Sequence, residues 1–141
     1  MSLGLIKFPG FYNSYVTTMT KAGYVDGFVF SVPKSKAAAY KKMCTEAKQV
    51  WTKFGALDYK ECVIDDAAPK GIVMTFGKMV KPKAGEQVWF SCVAYKSRAH
   101  RDQVNKKVMA HFDKKYAEKK DFNMPFDMRR MAMAGFKVVV G

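Results

Sequence analysis

EQVWFSCVAYKSRAHRDQVNKKVMAHF, residues 86–112, changes its apolar period from two to about 3.6 within a few residues. In its first half Val88, Phe90, Cys92 and Ala94 alternate with Trp89, Ser91, Val93 and Tyr95, so a strand here carries apolar bulk on both faces. Such a strand has to be covered on both sides. The second half opens at Ser97, a good N-cap, and sets Ala99, Val104, Val108 and Phe112 along one side, with Lys106, Lys107, Lys114 and Lys115 turned away. This helix is expected to pack back on the sheet that contains the strand.

Working outward, residues 24–32 alternate, with Tyr24, Asp26, Phe28, Phe30 and Val32 on one face and Val25, Gly27 and Val29 on the other. Pro33 ends this first strand. Ser35 is expected to cap a helix along which Tyr40, Met43, Ala47, Val50, Trp51 and Phe54 recur at spacings of three and four, and Gly55 closes it. Residues 57–64 form a second strand. Residues 65–85 make an excursion too long for a hairpin loop, with a short apolar piece at 72–76 expected as a minor strand, and they are expected to cover a pocket or an interface. After the second helix, Asn123 and Pro125 mark a loop, and residues 131–140 form the last strand.

The order is β-α-β-β-α-β, the ferredoxin-like arrangement: an α+β fold in which a four-stranded antiparallel sheet carries two helices on one face. The other face has no cover from within this pattern. A lone protomer would expose an apolar patch larger than soluble monomers usually show. Pairing two such faces hides roughly 800 Å² per partner, which is enough for a stable interface. A homodimer is therefore expected. The alternative is that the N-terminal arm and the 65–85 excursion fold over the sheet.

With 141 residues, 49% of them hydrophobic, the chain can bury one core. Residues 1–22 lack sustained periodicity and read as an N-terminal extension to a single domain at 23–141. No apolar run is long enough to span a membrane, and the first residues lack the long apolar core of a signal peptide, so a cytoplasmic protein is expected. Cys44, Cys62 and Cys92 lie far apart and without a CxxC, the pattern of reduced thiols and not of a disulfide framework or a zinc site. The net charge of +13 would suit RNA or another polyanion. However, 21 of the 25 cationic residues are lysines spread from Lys7 to Lys137, as on a solvated surface, whereas nucleic-acid surfaces lean on arginine and exposed aromatics.

YVDGFVFSVPK, GALDYKECVIDD, FSCVAYKSRAHRDQVNKKVMA and MPFDMRRMAMAGF resemble the YbaA-like family of small uncharacterised bacterial proteins, over about residues 24–138. The SRAHRD and MPFD-RRM blocks carry the resemblance best. It implies a ferredoxin-like protomer and a dimeric α/β barrel, and it brings no assigned activity.

Candidate site residues fall in three groups. Arg98, His100 and Arg101 open the second helix, where free backbone N–H groups favour an anion, although capping by Ser97 and an Arg98–Asp102 pair account for the same residues. His100 is expected to point at the sheet, either as an acid or base or as a buried imidazole satisfied by a carbonyl. Asp26 and Glu61 are expected on the uncovered face near Trp89, Ser91 and Tyr95. There they can orient a small aromatic or keto compound, or pair across an interface with Arg129 or Arg130.

No nucleophile motif, P-loop, dinucleotide fingerprint or metal spacing occurs, and no cofactor is implied. The favoured reading is a homodimeric α/β barrel that binds a small organic ligand in the cavity between its sheets. A cofactor-free monooxygenase or isomerase is the first alternative and an RNA-associated basic protein the second.

Overall fold

A computed structural model describes residues 21–141. The expected extension falls almost entirely outside them. In chain order the elements are β1 (Tyr24–Pro33), α1 (Ala37–Lys53), β2 (Asp58–Val63), α2 (Phe76–Val80), β3 (Glu86–Tyr95), α3 (Arg98–Tyr116) and β4 (Ala132–Lys137). Short 3-10 turns lie at Lys34–Lys36 and Met128–Arg130. The fold is α+β, with one four-stranded sheet in the order β2-β3-β1-β4 and every pairing antiparallel. No helix among the described residues is long and apolar enough to cross a membrane.

Register decides which side chains meet. Asp26 lies opposite Val93, Phe28 opposite Ser91 and Phe30 opposite Trp89, while Tyr59 and Glu61 of β2 lie opposite Val93 and Ser91. Directly paired residues share a face, so all of these project to the same side. The long helices cover that side. Val50 of α1 and Val104 and Val108 of α3 close over Tyr24, Tyr59, Val93 and Tyr95. Tyr40 and Cys44 of α1 pack with Phe30, Val32, Trp89 and Phe126. Each fully buried aliphatic or aromatic side chain in such a layer contributes about 1.5–3 kcal/mol.

The helix ends follow local chemistry. Ser97 Oγ accepts the His100 backbone N–H at 3.1 Å, the cap its position implied. Gly55, at φ +114°, turns the chain out of α1 where a Cβ would be strained and would press on His100 Nε2. Two details differ from expectation. Ser35 lies inside the 3-10 turn, so α1 starts after Lys36 with no side-chain cap. Ala99 is exposed, because the inward stripe of α3 begins only at Val104.

The apolar piece at 72–76 is not a strand. Thr75 Oγ1 accepts the Lys78 N–H at 3.2 Å and starts α2 at Phe76, leaving Ile72, Val73 and Met74 exposed ahead of the helix. Val80 of α2 tucks against Val29 and Val88, beside Ile64, on the face opposite the long helices. The excursion thus covers one end of that face. Among the described residues, the rest is uncovered along Val25, Gly27, Cys92 and Ala94, with Phe90 39% and Phe136 59% exposed.

Candidate functional site

Between the sheet and the two long helices lies a cavity of about 330 Å³. Phe28, Phe30 and Val93 form its floor, and Trp51 and Asn105 come down from α1 and α3. Met109, Met128 and Met133, each about half exposed, stand where it meets solvent. A second cavity of about 270 Å³ adjoins it and shares Tyr40, Trp51, Tyr59 and Met124 as wall. The second is almost wholly apolar in lining, with Glu46 paired to Lys115 at its edge. Convergent polar groups, the mark of a ligand site, distinguish the first.

Two carboxylates line that first cavity. Glu61 is held by three hydroxyls: Tyr59 Oη donates to Oε1 at 2.7 Å, Ser91 Oγ to Oε1 at 3.0 Å and Tyr40 Oη to Oε2 at 3.0 Å. Both tyrosine rings are buried, and burial, added to by the Glu61 charge, pushes their phenols above the ordinary range. They therefore stay protonated as donors. Cys44, behind Tyr40, has its thiol pushed up to about 12 by burial, which leaves it inert.

Asp26 is the contrasting case. It is 1% exposed, and neither carboxylate oxygen has a hydrogen-bond partner among the described residues. Arg101 Nε stands 3.7 Å from Oδ1, in ion-pair range only, while its Nη2 donates to Tyr24 Oη at 3.1 Å. Gly135 makes room for that phenol, since a Cβ there would lie 2.2 Å from the Tyr24 oxygen. Tyr95 and Asn105 stand near Asp26 but are bonded to each other, Tyr95 Oη donating to Asn105 Oδ1 at 3.0 Å, and Trp51 Nε1 donates to the same oxygen at 3.3 Å. Burial raises the Asp26 pKa, and the Arg101 charge only partly offsets it.

The structure brings Asp26, Glu61 and Ser91 to one cavity, with Trp89 on the same face beside Tyr40. The expected face is wrong for all four: register turns them toward α1 and α3 and away from the open side. Trp89 borders a separate outer groove that it shares with Glu61, and its indole N–H is buried without a partner among the described residues. Arg129 and Arg130 do not reach Asp26 or Glu61. Arg129 forks onto Asp127 at 3.0 Å, and Arg130 onto Glu86 at 2.9 Å, with a further bond to the Lys81 carbonyl.

At the start of α3, Arg98 is exposed and the expected Arg98–Asp102 pair is replaced by Arg101–Asp102 at 3.3 Å. His100 lies over the edge of Tyr95 and outside the cavity lining. Its Nδ1 accepts the Lys96 backbone N–H at 3.0 Å, and burial together with Lys96 and Lys107 lowers its pKa, so the imidazole is a neutral acceptor that fixes the β3–α3 corner. Among the described residues no three His, Cys, Asp or Glu side chains converge as a metal site requires. Tyr40, Tyr59 and Asn105 were not singled out from sequence. Spacing placed Tyr40 on the core stripe of α1, and the polar ends that matter here leave no trace in an apolar period.

A family model described as "Protein of unknown function (DUF1428)" matches residues 23–128. Proteins named "Uncharacterized protein YbaA" in Escherichia coli (strain K12) and in Shigella flexneri are each 40% identical to the chain over 119 residues, covering 83% of it and 97% of the relative.

Proposed function

For a chain that belongs to the DUF1428 family of proteins of unknown function, we propose that the activity is binding of a small organic ligand in the cavity between the sheet and the long helices, with Asp26 as its polar anchor. One observation carries this reading. A carboxylate buried without hydrogen bonds costs several kcal/mol of lost solvation, and a cavity-lining Asp26 recovers it when a ligand supplies the missing donor. We also read the strand order as ferredoxin-like and the open face around Phe90 and Phe136 as the contact between two protomers of a dimeric barrel. Each protomer then keeps its own cavity. Three unpaired cysteines suit a reducing compartment, and we place the protein in the cytoplasm.

A catalytic variant of this reading has its own support. Burial raises the Asp26 carboxyl above its ordinary range, the direction that suits a general acid or base, in a largely apolar cavity. A cofactor-free oxygenase or isomerase would use it so. Turnover of quinols and phenols under oxygen by the pure protein, lost in Asp26→Asn, supports that variant; no turnover leaves binding alone.

The binding test is a thermal-shift screen of small aromatic compounds against the parent protein and Asp26→Asn. A ligand at a hundredfold excess over its Kd adds about 2.7 kcal/mol to stability, a shift easily read. Compounds that stabilise the parent and not the variant support the reading. Compounds that shift both equally, or none at all, count against it.

A further inference from the structure

We propose that this cavity admits a small apolar molecule bearing hydrogen-bond donors, an amine or a hydroxyl, and turns away carboxylates and phosphates. The inference rests on the reading that the cavity binds a ligand, and it concerns that ligand's chemistry.

The argument is an inventory of donors and acceptors. Every hydroxyl in the lining is already spent: Tyr40, Tyr59 and Ser91 on Glu61, and Tyr95 on Asn105. The Trp51 indole N–H is spent on Asn105 as well. The Asn105 amide NH2 stands beside Asp26 and is the one side-chain donor of the lining with no acceptor among the described residues. The acceptors are left over. Asp26 keeps both oxygens free, and Glu61 Oε2 takes one bond where it has room for two. An entering molecule finds several acceptor sites to satisfy and a single amide, beside Asp26, to receive its own oxygens.

Charge works in the same direction. The chain carries +13 overall, yet the ionisable groups facing this space are two carboxyls and the phenols. Arg101 is the nearest cation to Asp26, but it is outside the lining: its Nη2 donates to Tyr24, and its Nε, buried without a hydrogen-bond partner among the described residues, lies in ion-pair range of Asp26 and Asp102. Aromatic faces of Trp51, Tyr40 and Phe126 suit an ammonium or a ring. Asp26 and Glu61 sit two strands apart and two residues out of step, which sets their Cα atoms roughly 12 Å from each other. A single substituted ring spans the gap between the two side chains.

The experiment is a protein-observed NMR titration of the full chain, following the Trp51 indole N–H, with phenethylamine, phenethyl alcohol, hydrocinnamate and ethylbenzene at millimolar concentration. The amine or the alcohol should bind about tenfold or more tighter than hydrocinnamate and ethylbenzene, and Asp26→Asn should remove that advantage. Amine over alcohol identifies a cationic ligand, and alcohol over amine a neutral one. Hydrocinnamate or ethylbenzene binding as tightly as the donors overturns the inference and leaves the cavity reading in place. Binding by none of the four overturns both.

Discussion

Asp26 Oδ1 and Arg101 Nε stand 3.7 Å apart across the edge of the helix–sheet layer, close enough to attract and too far to hydrogen-bond. The pair leaves a carboxylate whose burial outweighs its countercharge, and this makes Asp26 costly to keep ionised.

Stability should reflect that cost. Because the folded pKa of Asp26 lies above its ordinary value of 3.8, its contribution is most favourable below 3.8 and is lost as pH rises through the folded value. Asp26→Asn should therefore be more stable than the parent at neutral pH, with the difference shrinking as the solution is acidified toward 3.8. Urea unfolding of both proteins at neutral and acid pH checks this. A variant equally destabilised at both pH values contradicts it.

Glu61 gives the opposite expectation, since three hydroxyls already hold its carboxylate. Tyr59→Phe deletes the 2.7 Å bond to Oε1 and should cost about 1.5–3 kcal/mol, the usual worth of a hydrogen bond to a charged group. Chemical denaturation measures it directly. A loss no larger than that of an exposed substitution would mean that the three hydroxyls do not hold Glu61 as described.

A second acid-sensitive point ties the 65–85 excursion to the sheet. Glu86 accepts from Arg130, from the Lys83 N–H and from Ser31 Oγ, and the Arg130 fork is the largest reason its pKa falls to about 2. A depressed carboxylate stabilises the fold above its unfolded value of 4.5 and loses that contribution as pH falls from 4.5 through 2. Glu86→Gln should flatten the acid limb of the stability curve in that window. Thermal melts of parent and variant from neutral to strongly acid pH make the comparison, and parallel curves would contradict the clasp.

The open face makes a separate prediction. Phe136 is 59% exposed, so Phe136→Lys should change protomer stability by no more than about 0.5 kcal/mol. If that face joins two protomers, the same change splits the dimer. Sedimentation at micromolar concentration should find a dimeric parent and a monomeric variant, and a monomeric parent removes the dimer from the account.

These residues also show what sequence can and cannot carry. The alternation at 24–32 and 88–95 correctly grouped Asp26 with Phe28 and Phe30, and Trp89 with Ser91 and Tyr95, because a period of two is a local property of the chain. It could not say which group the helices would cover, since both faces of β1 and β3 are apolar. Asp26 was accordingly assigned to the wrong side. Ser97 and Gly55 were legible as helix ends because capping needs only neighbours. The segment at 72–76 was not, because a short, mostly apolar run suits a strand or the approach to a helical turn equally until Thr75 caps the turn that follows. Tyr40, Tyr59 and Asn105 entered the site through register and helix docking, which only the assembled fold supplies.

The most direct test is a crystal structure of the protein soaked with phenethylamine or phenethyl alcohol. The account predicts density between α1, α3 and the sheet, with the donor group on Asp26 and the ring over Phe28 and Val93. Density confined to the open face, or a cavity closed by its own methionines around Asp26, would contradict it.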